Sequence, residues 1–148
     1  MSLAHLQVFQ SLWAMQPHDG SGQNLRLDEI CEMVAEAGFD GLAIDFGAAD
    51  VATAIAIRPF LEKAGLTPLF VAFPKSVEAL RETLCMARDF GSPFVDVVGQ
   101  VFPLTVEGAI PVIRRWNEMA DHEEMPIQFE THRNCIRSEE HTSELQSQ

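Results

Sequence analysis

The sequence predicts an α/β fold, a truncated (β/α)8 TIM barrel with about the first five strands and four helices. Short apolar runs of β type alternate with longer helical runs at intervals of roughly 30 residues, which is typical of βαβ units. A glycine follows each of the first three helical runs, in AGFDG, KAGLT and DFGSP. The chain has 148 residues, whereas a whole eightfold barrel needs about 250.

Five segments are rich in Val, Ile, Leu and Phe, as expected of parallel strands that are buried on both faces. These strands are predicted at 6–13, 41–46, 67–73, 93–98 and 126–131. The helical runs between them are predicted at 27–37, 51–64, 76–90 and 105–120. We expect Ser76 to be an N-cap, and we expect Pro59 to kink or break the second helix.

Two architectures fit this alternation, an open doubly wound sheet and a closed barrel. The loop after the first strand, MQPHDGSGQN, is not a G-x-G-x-x-G phosphate loop, and no P-loop motif is present. Polar residues stand at or near the carboxyl ends of several strands instead, where barrel enzymes keep their functional groups. They are Gln10, Asp45, Gln100, Glu130 and His132. The barrel is therefore the better prediction.

Composition limits the classes of partner and compartment. The net charge of −12 disfavours nucleic acid as a partner. Cys31, Cys85 and Cys135 are scattered, which predicts reduced thiols and a cytoplasmic protein. No Lys or Arg precedes Arg26, and no apolar run approaches the roughly 20 residues of a membrane helix, so neither an export signal nor a membrane partner is expected. Homo-oligomerisation remains open.

The last twelve residues, RSEEHTSELQSQ, have no apolar period. They closely resemble the translation of a common short-read sequencing-library adapter. We therefore divide the chain into 1–136, the N-terminal part of a barrel, and 137–148, a tail that is not native. The alternative is a natural acidic tail.

The segment that carries most chemistry is IQFETHRN, at the predicted fifth strand. The twofold period of a strand places Gln128, Glu130 and His132 on one face, and Ile127 and Phe129 on the other. The apolar pair suits packing against helices, so Glu130 is expected inside the barrel. A carboxylate in this enclosed space is costly unless it binds a cation or forms an ion pair with Arg or Lys. If the partner is a metal ion, carboxylate oxygens favour Mg or Mn.

The opening HLQVFQSLWAM, the AGFDG turn and especially FETHRN resemble the xylose isomerase-like TIM-barrel superfamily, in particular its sugar phosphate isomerase/epimerase members. The resemblance covers about residues 3–134. It implies that Glu130 is the first ligand of a divalent metal (Mg, Mn or Co). It also implies that the remaining ligands, usually Asp, His and Glu, lie on later strands that this chain does not contain, as do most acid/base residues.

Five further residues are candidates for substrate binding, each with a structural alternative. His132 could contact a sugar hydroxyl or support Glu130, or be a hydrogen-bonded rim residue. Arg133 could bind an anionic group or form an ion pair. Trp13 could stack on a sugar ring or pack in the core. Asp45 could accept a hydrogen bond from a substrate hydroxyl or cap a loop. The same two roles are open to Gln100.

His18 and Asp19 lie in a Gly-rich loop on the expected active face, where a solvated loop is the alternative.

The predicted function is that of a fragment of a metal-dependent sugar or sugar-phosphate isomerase or epimerase, acting on a sugar or polyol-type small molecule. The fragment alone is expected to be inactive. One alternative is a non-catalytic binding barrel. Another is a DNA-repair endonuclease of the same superfamily, which the acidity of the chain and the lack of early histidine ligands disfavour.

Overall fold

The structure is a computed structural model that describes residues 6–16, 25–47 and 49–136. Five strands and four helices alternate along these segments. The strands are β1 (Phe9–Ser11), β2 (Gly41–Asp45), β3 (Thr67–Ala72), β4 (Val95–Val97) and β5 (Ile127–Phe129). The helices are α1 (Leu27–Glu36), α2 (Val51–Ala64), α3 (Leu80–Phe90) and α4 (Val106–His122), with a short 3-10 helix at Trp13–Met15.

The strands form one sheet in chain order, β1-β2-β3-β4-β5. The pairs β1–β2, β3–β4 and β4–β5 are parallel. The chain divides into two compact units, Met1–Leu69 and Phe70–Gln148, and β3 runs across the boundary between them. Consecutive parallel strands joined by helices are the order of a (β/α) barrel, so the predicted fold class is confirmed.

Glycines end the first three helices as predicted. Gly38, Gly65 and Gly91 have φ angles of 83°, 69° and 75°, in the left-handed region that glycine adopts without a steric cost. At Gly65 and Gly91 the backbone N–H donates to carbonyls of the last helical turn. These turns let each helix return directly to the next strand.

Of the kink or break predicted at Pro59, the break is wrong, because α2 continues without interruption from Val51 to Ala64, and the kink stays a prediction. Proline removes the hydrogen bond to the carbonyl four residues earlier, which belongs to Ile55. Both residues lie on the exposed side of α2, where water can satisfy that carbonyl. Pro111 stands inside α4 in the same way, on an exposed position.

Two other boundaries differ from the prediction. Helix α3 begins at Leu80 rather than near Ser76, and the hydroxyl of Ser76 instead accepts from the backbone N–H of Ala79 at 3.2 Å. The predicted first strand, 6–13, is shorter. Trp13 belongs to the 3-10 helix that follows β1 and not to the strand itself.

In the first unit, the start of β2 leaves no room for a side chain. Gly41 lies so near its neighbours that a Cβ atom there would collide with the backbone carbonyl of Thr67 and with the ring of Phe9. The following residues Leu42 and Ile44 are completely buried. Glycine therefore permits the close approach of backbones on which the first unit depends.

In the second unit, the core is organised around Trp116 of α4, which is completely buried. Its indole N–H donates to the carbonyl of Val77 at 3.0 Å, and its ring stacks on Phe129 of β5 with centroids 6.1 Å apart. Phe70 of β3 contacts Phe90 of α3 edge to face at 5.4 Å. These contacts show which face of β3 and β5 packs against helices.

Cys31, Cys85 and Cys135 form no disulfide bond with one another in the structure. No helix of the described segments is long and apolar enough to cross a membrane. The predicted tail at 137–148 and the loop residues His18 and Asp19 lie outside the described residues.

Candidate functional site

The strands of the second unit have one face toward helices and one face away from them. Phe70 and Phe129 contact α3 and α4, and Val95 and Val97 of β4 are completely buried. Because side chains alternate along a strand, the residues between these positions point to the opposite face. We name this opposite face of β3, β4 and β5 the inner face.

The register of the sheet aligns one row of the inner face. Val71 of β3 is paired with Asp96 of β4, and Asp96 is paired with Gln128 of β5. Glu130 follows two residues after Gln128, on the same face. Its backbone N–H donates to the carbonyl of Val97 at 3.1 Å, so the β5 ladder continues to this residue. Glu130 is thus a diagonal neighbour of Asp96 across the β4–β5 pair.

Asp96 and Glu130 form a pair of interacting carboxyl groups. Desolvation is the largest cause that raises the pKa of Asp96, followed by the negative charge of Glu130 and a side-chain hydrogen bond to it. Together they raise the pKa of Asp96 from 3.8 to about 6. Carboxylates that interact in this way repel each other when both are ionised, so the arrangement favours a proton on Asp96 or a bound cation.

Sequence reasoning did not identify Asp96. The available signal was a single aspartate inside the apolar run PFVDVV, where a strand buried on both faces should have no charge. The sequence pattern identified Glu130. The position of Asp96 beside it depends on the register of β4 and β5, which the sequence does not reveal.

The residues after β5 fold into a turn that fixes His132. Its ring Nδ1–H donates to the carbonyl of Arg133 at 2.9 Å, and its ring lies edge to face with Phe73 at 6.0 Å. Its backbone N–H contacts the buried Sγ of Cys135 at 3.2 Å, and that thiol donates to the His132 carbonyl at 2.7 Å. The turn holds an exposed imidazole two residues after Glu130.

The same turn is attached to the end of β4. The backbone N–H of Ile136 donates to the carbonyl of Gly99 at 2.8 Å. Gln100 is half-buried, and its backbone N–H donates to the carbonyl of Pro74 at 3.1 Å. Arg133 is exposed. The second unit thus brings the predicted residues Gln100, Glu130 and His132 to the carboxyl ends of β4 and β5, with Arg133 beside them.

Two predicted residues belong to the first unit. Asp45 ends β2, and its carboxylate accepts from the backbone N–H of Gly47 at 2.6 Å, while its carbonyl accepts from Ala49 at 2.7 Å. This supports the loop-capping alternative. Trp13 is 50% exposed, so it is not a fully buried core residue. Neither observation tests a contact with substrate.

A metal site is not complete within the described residues. No group of three or more His, Cys, Asp or Glu side chains that could hold an ion occurs in 6–16, 25–47 and 49–136. The role of Glu130 as a metal ligand, and the substrate roles of Trp13, Asp45, Gln100, His132 and Arg133, therefore stay predictions.

Comparison with known proteins gives structural likeness only. No protein-family model matches the chain, and no curated protein matches it. D-allulose 3-epimerase from Methylomonas sp. aligns over 88% of this chain and 53% of its own, with a TM-score of 0.61 and 15% identity.

Two further structures with different chemistry also match. Type I 3-dehydroquinate dehydratase from Clostridium difficile aligns over 84% of this chain and 51% of its own, with a TM-score of 0.56 and 13% identity. The carboxyl transferase domain of Rhizobium etli pyruvate carboxylase aligns over 85% of this chain and 23% of its own, with a TM-score of 0.59 and 12% identity.

The chain therefore spans at most about half the length of these solved structures. At identities this low, the likeness is one of fold: the chain has the architecture of part of a TIM barrel, and a sugar epimerase is among its structural neighbours.

Proposed function

We propose that residues 1–136 are the N-terminal part of a divalent-metal-dependent sugar or sugar-phosphate isomerase or epimerase, in the xylose isomerase-like superfamily. The observation that carries the proposal is the position of Glu130, directly after β5 on the inner face and beside Asp96. Catalytic groups of barrel enzymes lie at this end of the strands. The fold likeness to D-allulose 3-epimerase supports the same class of reaction.

The donor atoms suit a hard divalent cation. Carboxylate oxygens are the ligands that Mg and Mn prefer, and a bound cation would offset the repulsion between Asp96 and Glu130 and the desolvation of Asp96. Glu130 would bind the ion, with further ligands from later strands of the longer barrel. A bound Mg, Mn or Co would polarise sugar oxygens and stabilise the charge that develops during isomerisation.

The other predicted residues would bind and orient the sugar. His132 is held by its turn with one ring nitrogen engaged by the Arg133 carbonyl, which leaves Nε2 as an acceptor for a hydroxyl. Gln100, at the end of β4, would donate or accept a hydrogen bond with a sugar hydroxyl. Trp13 would stack on the ring, and Asp45 and Arg133 would contact polar or anionic groups of the substrate.

A non-catalytic binding barrel is the principal alternative, because one fold supports many functions. The test uses the uninterrupted product of the gene, stripped of metal and then supplied with Mg, Mn or Co. It is assayed for interconversion of aldoses, ketoses and their phosphates by NMR. We expect turnover that depends on metal, and Glu130→Gln should lower kcat/KM by roughly a thousandfold, the cost of several kcal/mol of transition-state stabilisation.

The matched control is Glu118→Gln, which removes an exposed carboxylate that pairs with Arg115 on α4. It should leave turnover and metal affinity unchanged. Full turnover of Glu130→Gln with added Mg or Mn would count decisively against the proposal. Binding of a sugar without turnover or metal would favour the non-catalytic alternative.

A further inference from the structure

A buried thiol lies inside the turn that follows β5. Thr131, His132, Arg133 and Asn134 are exposed, whereas Cys135 is completely buried. Asn134 has a φ angle of 56°, in the left-handed region, which asparagine adopts more readily than most residues other than glycine. The backbone reverses there, and the side chain of Cys135 contacts the residues that precede it in the turn.

Both backbone polar groups of His132 are hydrogen-bonded to this thiol. The N–H of His132 donates to the Sγ of Cys135 at 3.2 Å, and the S–H of Cys135 donates to the His132 carbonyl at 2.7 Å. The carbonyl of Glu130 lies 4.0 Å from the same sulfur. A cysteine that only fills space acts as a small hydrophobic group and needs no such contacts. The sulfur of Cys135 therefore sets the backbone conformation of His132.

Two further contacts orient the imidazole ring of His132. Its Nδ1 lies 2.9 Å from the carbonyl of Arg133, and its ring lies edge to face with Phe73 at 6.0 Å. A carbonyl oxygen only accepts, so Nδ1 carries the proton and Nε2 is left as an acceptor. The direction of Nε2 depends on where the backbone of His132 and Arg133 lies, and the thiol holds that backbone.

The turn is also attached to β4 at both of its ends. The backbone N–H of Glu130 donates to the carbonyl of Val97 at 3.1 Å, and that of Ile136 donates to the carbonyl of Gly99 at 2.8 Å. The sheet thus fixes the two ends of the turn, and the thiol of Cys135 fixes its interior. Glu130 and His132 are held in a defined relation to each other by this arrangement.

We propose that Cys135 is a positioning residue of the active site, whose thiol holds His132 so that Nε2 accepts a hydrogen bond from a substrate hydroxyl next to Glu130. The proposal rests on the proposed function, because it needs a sugar at the carboxyl ends of β4 and β5. Cys135 is buried and does not touch the substrate, so it acts only through His132. The group recognised is a hydroxyl, because an unprotonated imidazole nitrogen accepts a hydrogen bond and cannot donate one.

The first test separates the hydrogen bonds of the thiol from its packing, in the uninterrupted gene product supplied with metal. Cys135→Val keeps an apolar side chain of similar size and removes both hydrogen bonds, and Cys135→Ala replaces it if valine prevents folding. The variant should raise KM for the sugar roughly tenfold and leave kcat within about twofold, as expected when one neutral hydrogen bond to the bound substrate is lost. Cys135→Ser keeps a donor and an acceptor and should recover most of the affinity. An unchanged KM in Cys135→Val would overturn the proposal.

The second test asks whether the thiol acts through the imidazole. His132→Ala should weaken substrate binding, and adding Cys135→Val to it should cause no further loss of kcat/KM, because the two residues act in series. A further loss of about tenfold in the double variant would contradict the proposal, since the thiol would then support the site by another route. Cys31→Val is the matched control. It replaces a buried thiol of α1 and should leave KM unchanged in the parent and in His132→Ala.

The third test needs neither metal nor turnover. Nitrogen NMR of the imidazoles in the metal-free protein, at about pH 8, should show His132 as a single tautomer with its proton on Nδ1. In Cys135→Val these signals should move toward the average of two tautomers, while those of His122 on α4 stay unchanged. Identical His132 signals in the variant and the parent would overturn the proposal. If the expected change appears but the parent has no turnover, the thiol does position the imidazole and it is the proposed function that fails.

Discussion

The strand carboxylates of the two units differ in the groups that they contact. In the first unit, Asp45 ends β2 and its carboxylate is engaged by the backbone N–H of Gly47. In the second unit, Asp96 lies within β4, and its side chain interacts with the carboxyl group of Glu130. A carboxylate that a loop amide satisfies contributes to local structure. Two carboxyl groups that face each other leave a charge unbalanced, and such an arrangement is typical of a functional site.

The largest expected effect follows from replacing Asp96. Its pKa is about 6 in the folded protein and near 3.8 in the unfolded chain, so ionisation costs stability. Below about pH 3 both states are largely protonated and no stability is lost. As the pH rises from about 3 to 6, the unfolded state loses its proton first and the free energy of unfolding falls. Allowing for partial solvent screening, we expect a fall of about 1–2 kcal/mol.

Asp96→Asn should abolish this fall, and should therefore be about 1–2 kcal/mol more stable than the parent at pH 7 and similar to it at about pH 3. Urea unfolding of metal-free protein at both pH values, followed by tryptophan fluorescence, measures the difference. Glu118→Gln serves as the control, since it removes an exposed carboxylate of α4. If the free energy of unfolding depended on pH in the same way in Asp96→Asn and in the parent, the carboxylate of Asp96 would not differ from that of Asp45 as described.

A smaller effect is expected in the first unit. Asp45→Ala removes the acceptor for the Gly47 N–H, and a single hydrogen bond of this kind contributes about 0.5–1.5 kcal/mol. The loss should show in urea unfolding at pH 7, and hydrogen exchange at Gly47 should become faster. Asp45→Asn keeps an acceptor oxygen and should retain most of the stability. Equal stability of Asp45→Ala and the parent would show that the capping bond contributes little.

Local patterns predicted most of the fold. The sequence-based limits of α2 agree with the structure, and Gly38, Gly65 and Gly91 end their helices as expected, because a left-handed residue is a local requirement. The alternation in IQFET predicted that Phe129 packs against a helix, and its contact with Trp116 agrees. The same alternation placed Glu130 on the opposite face of the strand, and on this basis it was predicted as a site residue.

The missed features depend on contacts between segments distant in sequence. Asp96 lies next to Glu130 because β4 and β5 pair in one particular register, and no local signal encodes that register. The break expected at Pro59 was wrong because the exposure of its helix face was unknown. The turn that fixes His132 depends on a buried thiol three residues later, at Cys135.

The most direct test of the inner-face carboxyl pair is carbon NMR of the carboxyl groups of the metal-free chain, titrated from pH 3 to pH 8. We expect one aspartate carboxyl with a pKa of about 6, absent in Asp96→Asn. In Glu130→Gln it should move part of the way toward 3.8, because desolvation remains after the neighbouring charge is removed. If Asp96 titrates near 3.8 in the parent and is unaffected by Glu130→Gln, the two carboxyl groups do not interact and the basis for a cation site at this end of β4 and β5 is lost.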